Sequence, residues 1–245
     1  APDEPGAAAV TTHAVGVWSR AAELRAQWQP AADGAGVGGV SYRWKLSESA
    51  GGSPGDGWRT AGTSVAAVAP SSSNLWFAVQ AVDAFGNASG AVVLGPYFVD
   101  TVPPGSADAF LRLQRSPFGP YAVGPRIGAE WGGFTDAHSG IAGYYVASHA
   151  CGVLAVPLFT TASAAPLAAA CGVTNCARVY AVDRAGNAGV VLSDTVWVLD
   201  PADDTDGDGF TAADEEVAGS NAADPASVLR IGLAGARNGG GGTAT

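Results

Sequence analysis

Apolar residues in this chain recur in short runs of five to eight, alternating with polar residues or nearly continuous, and clusters of Gly, Pro, Ser and Asn break the runs. LRAQW, VSYRWKL, LWFAVQAV and VVLGPYFV, all within residues 1–100, have this form. A period of two is that of a strand with one face buried, and the breaks carry turn chemistry. No stretch before residue 200 keeps a helical period for a useful length. Short strands at this spacing predict an antiparallel sandwich of about seven strands. After residue 200 the pattern changes: AADEEVAG predicts about two helical turns stopping at Gly219.

The strand pattern occurs twice. VQAVDAFGNASG from Val79 returns as VYAVDRAGNAGV from Val179, 100 residues later. Trp28 followed by Asp33 returns as Trp131 followed by Asp136, VGGVSYRW as IAGYYVAS, and FVD ending at Asp100 as VLD ending at Asp200. Self-similarity at a fixed offset predicts two copies of one domain. The expected fold is therefore all-β: two tandem sandwiches at 1–100 and 101–199, a loop with one short helix at 200–227, and a β tail at 228–245. Trp28 and Trp131 are expected on the inner faces, since aromatics dominate such interiors. DTVPPG from Asp100 reads as a stiff connector, because its prolines fix φ and remove donors.

Composition narrows the partners. At 245 residues, 47% hydrophobic and 14% charged, the chain has apolar material for two cores. The net charge of -10 is concentrated, with nine acidic residues and no Lys or Arg between Asp200 and Asp224. Residues 1–199 hold 13 acidic against 10 basic side chains, a net of -3. That body offers no basic stripe to neutralise phosphates, which argues against nucleic acid as a partner. No apolar run approaches membrane-spanning length. The chain begins with Ala and contains no Met, the form of a processed protein or a piece of a larger one, from which any secretory leader has been removed. Of Cys151, Cys171 and Cys176, two can pair in a secreted protein and leave one over. Cys171 and Cys176 flank a short loop and Cys151 sits at the far end of a predicted strand, so the pairing stays open. A zinc site completed by His149 fits no spacing template.

The strongest chemical signal is DTDGDGFTAADE, Asp204 to Glu215, which fits the calcium-loop template D-x-[DN]-x-[DN]-G-x5-E at every specified position. In that reading Asp204, Asp206 and Asp208 supply carboxylate oxygens, Phe210 its backbone carbonyl, and Glu215 closes the shell with both carboxylate oxygens. Ala212 has no side-chain oxygen and leaves its position to a water. An oxygen-only ligand set in a flexible loop favours Ca2+ over zinc, iron or magnesium. The incoming helix of a full EF-hand is missing, because TVWVLDPADD alternates like a strand and then meets Pro201. DTDGDGFTAADEEVAGSNAADPAS resembles the calcium-binding repeats of the thrombospondin type 3 and dockerin-like kind, with Asn221 in place of an aspartate in the closing turn.

The repeated body carries a second resemblance. W-x-P-x-x-D, then G-V and a Tyr-rich strand, then A-V-D-x-x-G-N, then V-D-T-x-P-P, over roughly residues 6–199, is similar to bacterial fibronectin type III or related Ig-like modules. In the D-x-x-G-N turn, Asp83 or Asp183 is expected to accept backbone hydrogens, with Gly86-Asn87 or Gly186-Asn187 at positive φ. The Asn87-Ala88-Ser89 sequon falls on that turn, which already explains the asparagine.

TDAHSG from Thr135 places Asp136, His138 and Ser139 together, but residues so close along the chain do not readily form a linear relay. The chain is expected not to be an enzyme. SVLRIGLAGARNGGGGTAT from Ser227 begins like a strand, and a lone strand seeks a sheet edge in its own chain or in another copy. The expectation is a secreted or cell-surface structural or adhesive protein, calcium-rigidified, with copies of itself as partners through the tail and assembly into a filament by strand exchange. The alternative is a non-catalytic accessory region of a secreted hydrolase, spacing it or targeting surface glycans. A strip of exposed aromatics, with Trp44, Trp58 and Trp76 as candidates, would support that alternative.

Overall fold

The computed structural model describes residues 1–34 and 38–227. The expected β tail at 228–245, and with it strand exchange between copies, lies outside the described residues. The first repeat supplies β1 (Gly6–Val10), β2 (Trp18–Ser19), β3 (Glu23–Gln29), β4 (Ser41–Ser47), β5 (Trp58–Thr60), β6 (Ser64–Val68), β7 (Ser72–Val82) and β8 (Val92–Val99). The second supplies β9 (Phe110–Leu113), β10 (Tyr121–Val123), β11 (Arg126–Gly132), β12 (Ile141–Ala150), β13 (Leu158–Thr160), β14 (Ala164–Ala168), β15 (Val173–Asp183) and β16 (Leu192–Leu199). Among the described residues one helix, α1 (Ala212–Ala218), comes after them.

Each repeat folds into two sheets. In the first, β1-β3-β6 packs against β2-β8-β7-β4-β5; in the second, β9-β11-β14 packs against β10-β16-β15-β12-β13. The two orders are the same strand for strand, so the duplication read in the sequence is a duplication of topology. This is an Ig or fibronectin type III-like sandwich built twice. All pairs are antiparallel except β2 with β8 and β10 with β16. Those short parallel strands raise each sandwich from the expected seven to eight. At two and three residues they are too brief to show a period.

Alternation decides which side chains enter the cores. Along β3, Leu24, Ala26 and Trp28 are buried while their neighbours are exposed, and Ile127, Ala129 and Trp131 repeat this on β11. Trp28 meets Tyr42 edge-on and Trp131 meets Tyr144 likewise, at centroid distances of 5.3 and 6.3 Å. His13 lies beyond the end of β1, buried with its Nε2 3.0 Å from the Ala21 carbonyl.

The D-x-x-G-N turns are built as acceptor hubs. Asp83 Oδ1 accepts the N–H groups of Phe85 and Asn87, and Asp83 Oδ2 accepts the Asn87 side-chain amide at 2.7 Å. Asp183 takes the same two bonds from Asn187. The left-handed conformation falls on Gly86 (φ 91°) and Gly186 (φ 90°) alone. The asparagines are not at positive φ; their contribution is the amide that holds the aspartate.

Asp100 follows β8 and starts the connector, which is fastened on both sides. Asp100 N–H donates to the Ser19 carbonyl of the first sandwich, and Gly105 and Thr135 exchange backbone bonds on the second. Cys151 and Cys176 form a disulfide that ties the end of β12 to β15, with Cα atoms 5.1 Å apart, leaving Cys171 free. The pair agrees with the register, since His149 faces Cys176 across the sheet. It also consumes two of the ligands a zinc site would need.

Residues 200–227 fold onto the second sandwich. Thr211 caps α1 through Asp214, and Gly219 ends it in the left-handed conformation (φ 83°). Ala212 and Ala222 pack with Tyr121 and Leu199 in a small apolar cluster. Ala222 N–H donates to the Tyr121 hydroxyl at 2.8 Å, and Ser116 Oγ donates to Glu216 Oε2 at 2.7 Å.

Candidate metal centre

The acidic loop is organised by its first carboxylate. Asp204 Oδ1 accepts the N–H groups of Gly207 and Asp208, and Asp204 Oδ2 accepts that of Gly209 at 2.9 Å. Gly207 (φ 81°) and Gly209 (φ 99°) are left-handed, a conformation that costs a side-chain-bearing residue energy and lets the loop turn back on itself. One oxygen each of Asp204, Asp206 and Asp208 comes within 4.8 Å of the others.

Glu215, on α1, is not one of that 4.8 Å group but lies near enough for the charges of the three aspartates to act on it. It is fully buried, with Oε1 accepting the Ser220 hydroxyl at 3.0 Å. Burial raises its pKa; the Ser220 bond opposes this, and the charges of Asp206, Asp208 and Asp204 push it up further. Three carboxylate oxygens, Asp206 Oδ2, Asp208 Oδ2 and Glu215 Oε2, are buried with no hydrogen-bond partner among the described residues. Leaving such an oxygen unpaired is costly. Their number and all-oxygen chemistry would suit a hard divalent cation of the calcium type.

The remaining two positions sit as follows. Phe210, partly exposed, donates its N–H to Asp208 Oδ1. Ala212 turns its methyl into the Tyr121 cluster, so its lack of an oxygen also serves the docking of α1. The three aspartates are neighbours in space as they are in sequence. The burial of Glu215 is not contained in the loop pattern, and the T-x-x-D cap at Thr211 and Asp214 was the available signal for it.

The other candidate constellations resolve differently. In TDAHSG, Asp136 Oδ1 accepts the N–H groups of His138 and Gly140, His138 Nδ1 lies 3.7 Å from Asp100 rather than near Asp136, and the Ser139 hydroxyl has no partner. No Ser–His–Asp line is assembled there. Of the three tryptophans, Trp44 follows Tyr42 on the inner face and stacks on Trp58, its cross-strand partner at the edge. Trp76 adjoins the buried Phe77 and therefore faces outward, with its Nε1 donating to Asn74. They do not form one strip. The aromatic row that does exist is in the second sandwich, Phe159–Tyr145–Tyr180, across three strands on the outer face. Its two tyrosine rings stack on each other at 5.2 Å and 18°, the geometry of a cross-strand ladder that stabilises the sheet.

Among the described residues, no helix is long and apolar enough to cross a membrane. No protein-family model matches the chain. No curated protein matches it either. Solved structures to which it is similar include the FN1-FN3 domains of chicken CNTN1, at 15% identity and TM-score 0.37, covering 79% of this chain and 67% of that one. The fibronectin(III)-like modules of Clostridium thermocellum CbhA are similar at 14% identity and TM-score 0.39, covering 79% and 94%. The sandwich fold itself is defined by the strand orders of the two repeats.

Proposed function

We propose that this chain is a structural or adhesive spacer from a secreted or cell-surface protein, and that calcium held by Asp204, Asp206, Asp208 and Glu215 stiffens the segment beyond the second sandwich. The observation that carries this reading is the set of three buried, partnerless carboxylate oxygens in a loop whose helix is docked on the sandwich. A cation would supply the missing partner for all three and cancel the repulsion among them. The loop and α1 would then be held to the sandwich as one piece.

A disulfide between β12 and β15 suits an oxidising compartment, which supports placing the protein outside the cell. A glycan-targeting role rests on exposed aromatics; Trp44 and Trp58 stand apart from Trp76 and do not supply that strip, and the outer-face Phe159–Tyr145–Tyr180 row is accounted for as a cross-strand ladder. The spacer reading is therefore preferred.

Thermal unfolding with calcium and with chelator tests the metal. Calcium should raise the melting temperature of the 200–227 segment, and Asp206→Ala should abolish the gain. The same melting profile in both conditions would refute it.

A further inference from the structure

A second group of carboxylates lies at the joint between the sandwiches, where no sequence motif pointed. Asp100 comes from the residue after β8, Asp136 from the β11–β12 loop and Asp183 from the end of β15. One oxygen of each lies within 4.8 Å of the others. Asp100 is 0% exposed and Asp183 2%, so two of the three are out of contact with solvent.

Nothing basic compensates them fully. Among the described residues, the nearest base is His138, whose Nδ1 is 3.7 Å from Asp100 Oδ1. The arginines at the joint turn to carbonyls instead: Arg20 donates to Gly186 at 3.1 Å and Arg184 to Ser139 at 3.3 Å. Two buried carboxylates and a half-buried third, with an imidazole at 3.7 Å as the nearest base, are like charges that repel one another.

Two further oxygens are left over at this place. Ser139 is 2% exposed, and its hydroxyl sits beside the Asp100 carboxylate, where it opposes the upward push of burial on that pKa, yet among the described residues it has no partner in hydrogen-bond geometry. Asp136 Oδ2 is likewise buried and without a partner among the described residues. The other carboxylate oxygens are held by short bonds. Asp100 accepts from Val102 and Ser139 N–H, Asp136 Oδ1 from His138 and Gly140 N–H, and Asp183 from Asn187. The group is thus oriented before anything binds.

We infer that Asp100, Asp136 and Asp183, with the Ser139 hydroxyl, form a second site for a hard divalent cation of the calcium type, one that fastens the first sandwich to the second. The first sandwich has the matching aspartates, Asp33 and Asp83, but among the described residues no third carboxylate joins them. The site therefore belongs to the joint and not to the module. Its ligands come from both sides of the connector, so a bound cation would resist bending there.

Equilibrium dialysis of the full chain against calcium distinguishes this site from the acidic loop. The unaltered chain should bind two ions, Asp136→Asn one, Asp206→Ala one, and the double variant none. A chain that binds a single ion, lost in Asp206→Ala and kept in Asp136→Asn, overturns the joint site and leaves the loop reading intact. Thermal unfolding separates a ligand from a turn residue. Asparagine can keep the Oδ1 bonds, so in chelator Asp136→Asn should melt no lower than the unaltered chain, having lost one of three clustered like charges. In calcium it should melt lower. An equal loss of stability in both conditions would mark Asp136 as a turn residue only and overturn the proposal.

Discussion

Glu215→Gln should reverse its effect on the acidic segment depending on whether calcium is present. Two unit charges 4.8 Å apart, the span within which the Asp204, Asp206 and Asp208 oxygens lie, repel by about 0.9 kcal/mol in a water-like dielectric and about 3.5 kcal/mol at an effective dielectric of 20. The aspartates are at least partly exposed, so the lower figure applies, and three such pairs amount to about 3 kcal/mol that a cation would relieve. At 1.36 kcal/mol per factor of ten, that is roughly a hundredfold in the fraction of open segment. Glu215 adds to this repulsion in the metal-free protein. Its pKa is raised in the folded state, so below the unfolded value its carboxyl is neutral in both states and costs nothing. As pH rises through the folded value, the buried charge appears and stability is lost. Glutamine keeps an acceptor for Ser220 but carries no charge. Cleavage beside Phe210 by chymotrypsin, normalised to an unfolded peptide of the same sequence, reads the open fraction when closing is fast. Calcium should slow it about a hundredfold in the unaltered chain. Glu215→Gln should be cut more slowly than the unaltered chain in chelator and faster in calcium. Equal rates for the unaltered chain in both conditions, or faster cutting of the variant in both, would refute the electrostatic reasoning.

Two other outcomes concern the second sandwich. Replacing Cys151 and Cys176 together by serine opens a closure spanning 25 residues, which should lower its stability by about 3.5 kcal/mol on chain-entropy grounds; urea unfolding checks this, and a loss under about 1 kcal/mol would argue against that pairing. Tyr121→Phe leaves the Ala222 N–H buried without its acceptor, so docking of α1 should weaken by about 1–3 kcal/mol. Amide exchange at Ala222 and along α1 should quicken at least about fivefold, with β15 amides unchanged.

Much of the fold was legible because burial on one face imposes a period of two. Leu24, Ala26 and Trp28 announce β3, and the 100-residue echo of VQAVDAFGNASG announces the second copy. Other features depend on register, which a single sequence does not carry. The Cys151–Cys176 bond needed the pairing of β12 with β15. Placing Trp76 needed the irregularities of β7 opposite β8, between Ser72 and Leu75 and between Leu75 and Phe77, which break simple counting of faces. The acidic loop could be read because its carboxylates are local in sequence. The Asp100–Asp136–Asp183 group could not, since its members come from three distant segments and each has a turn role that already explains it.

That double use is a property of the duplicated turn. Among the described residues Asn87 gives its amide to Asp83 alone, whereas Asn187 Nδ2 reaches both Asp183 Oδ2 at 2.7 Å and the Asp100 carbonyl at 2.8 Å. The same hairpin that closes a sandwich is thus also a socket for the end of the preceding one. Asp100 and Asp200 leave their sandwiches identically, each Oδ1 accepting the N–H two residues on, from Val102 at 2.9 Å and from Ala202 at 3.0 Å. Beyond those aspartates the two paths diverge: one chain end enters the next sandwich's turns, the other folds back so that Ala212 and Ala222 cover Tyr121 and Leu199. A sandwich core has no means of fixing the direction of its neighbour, because its apolar contacts are spent internally. The direction must be set at the ends, and in this chain both ends place buried carboxylate oxygens without partners next to the segment to be held. Stiffness along the chain is therefore expected to depend on what neutralises those oxygens, more than on the stability of either core.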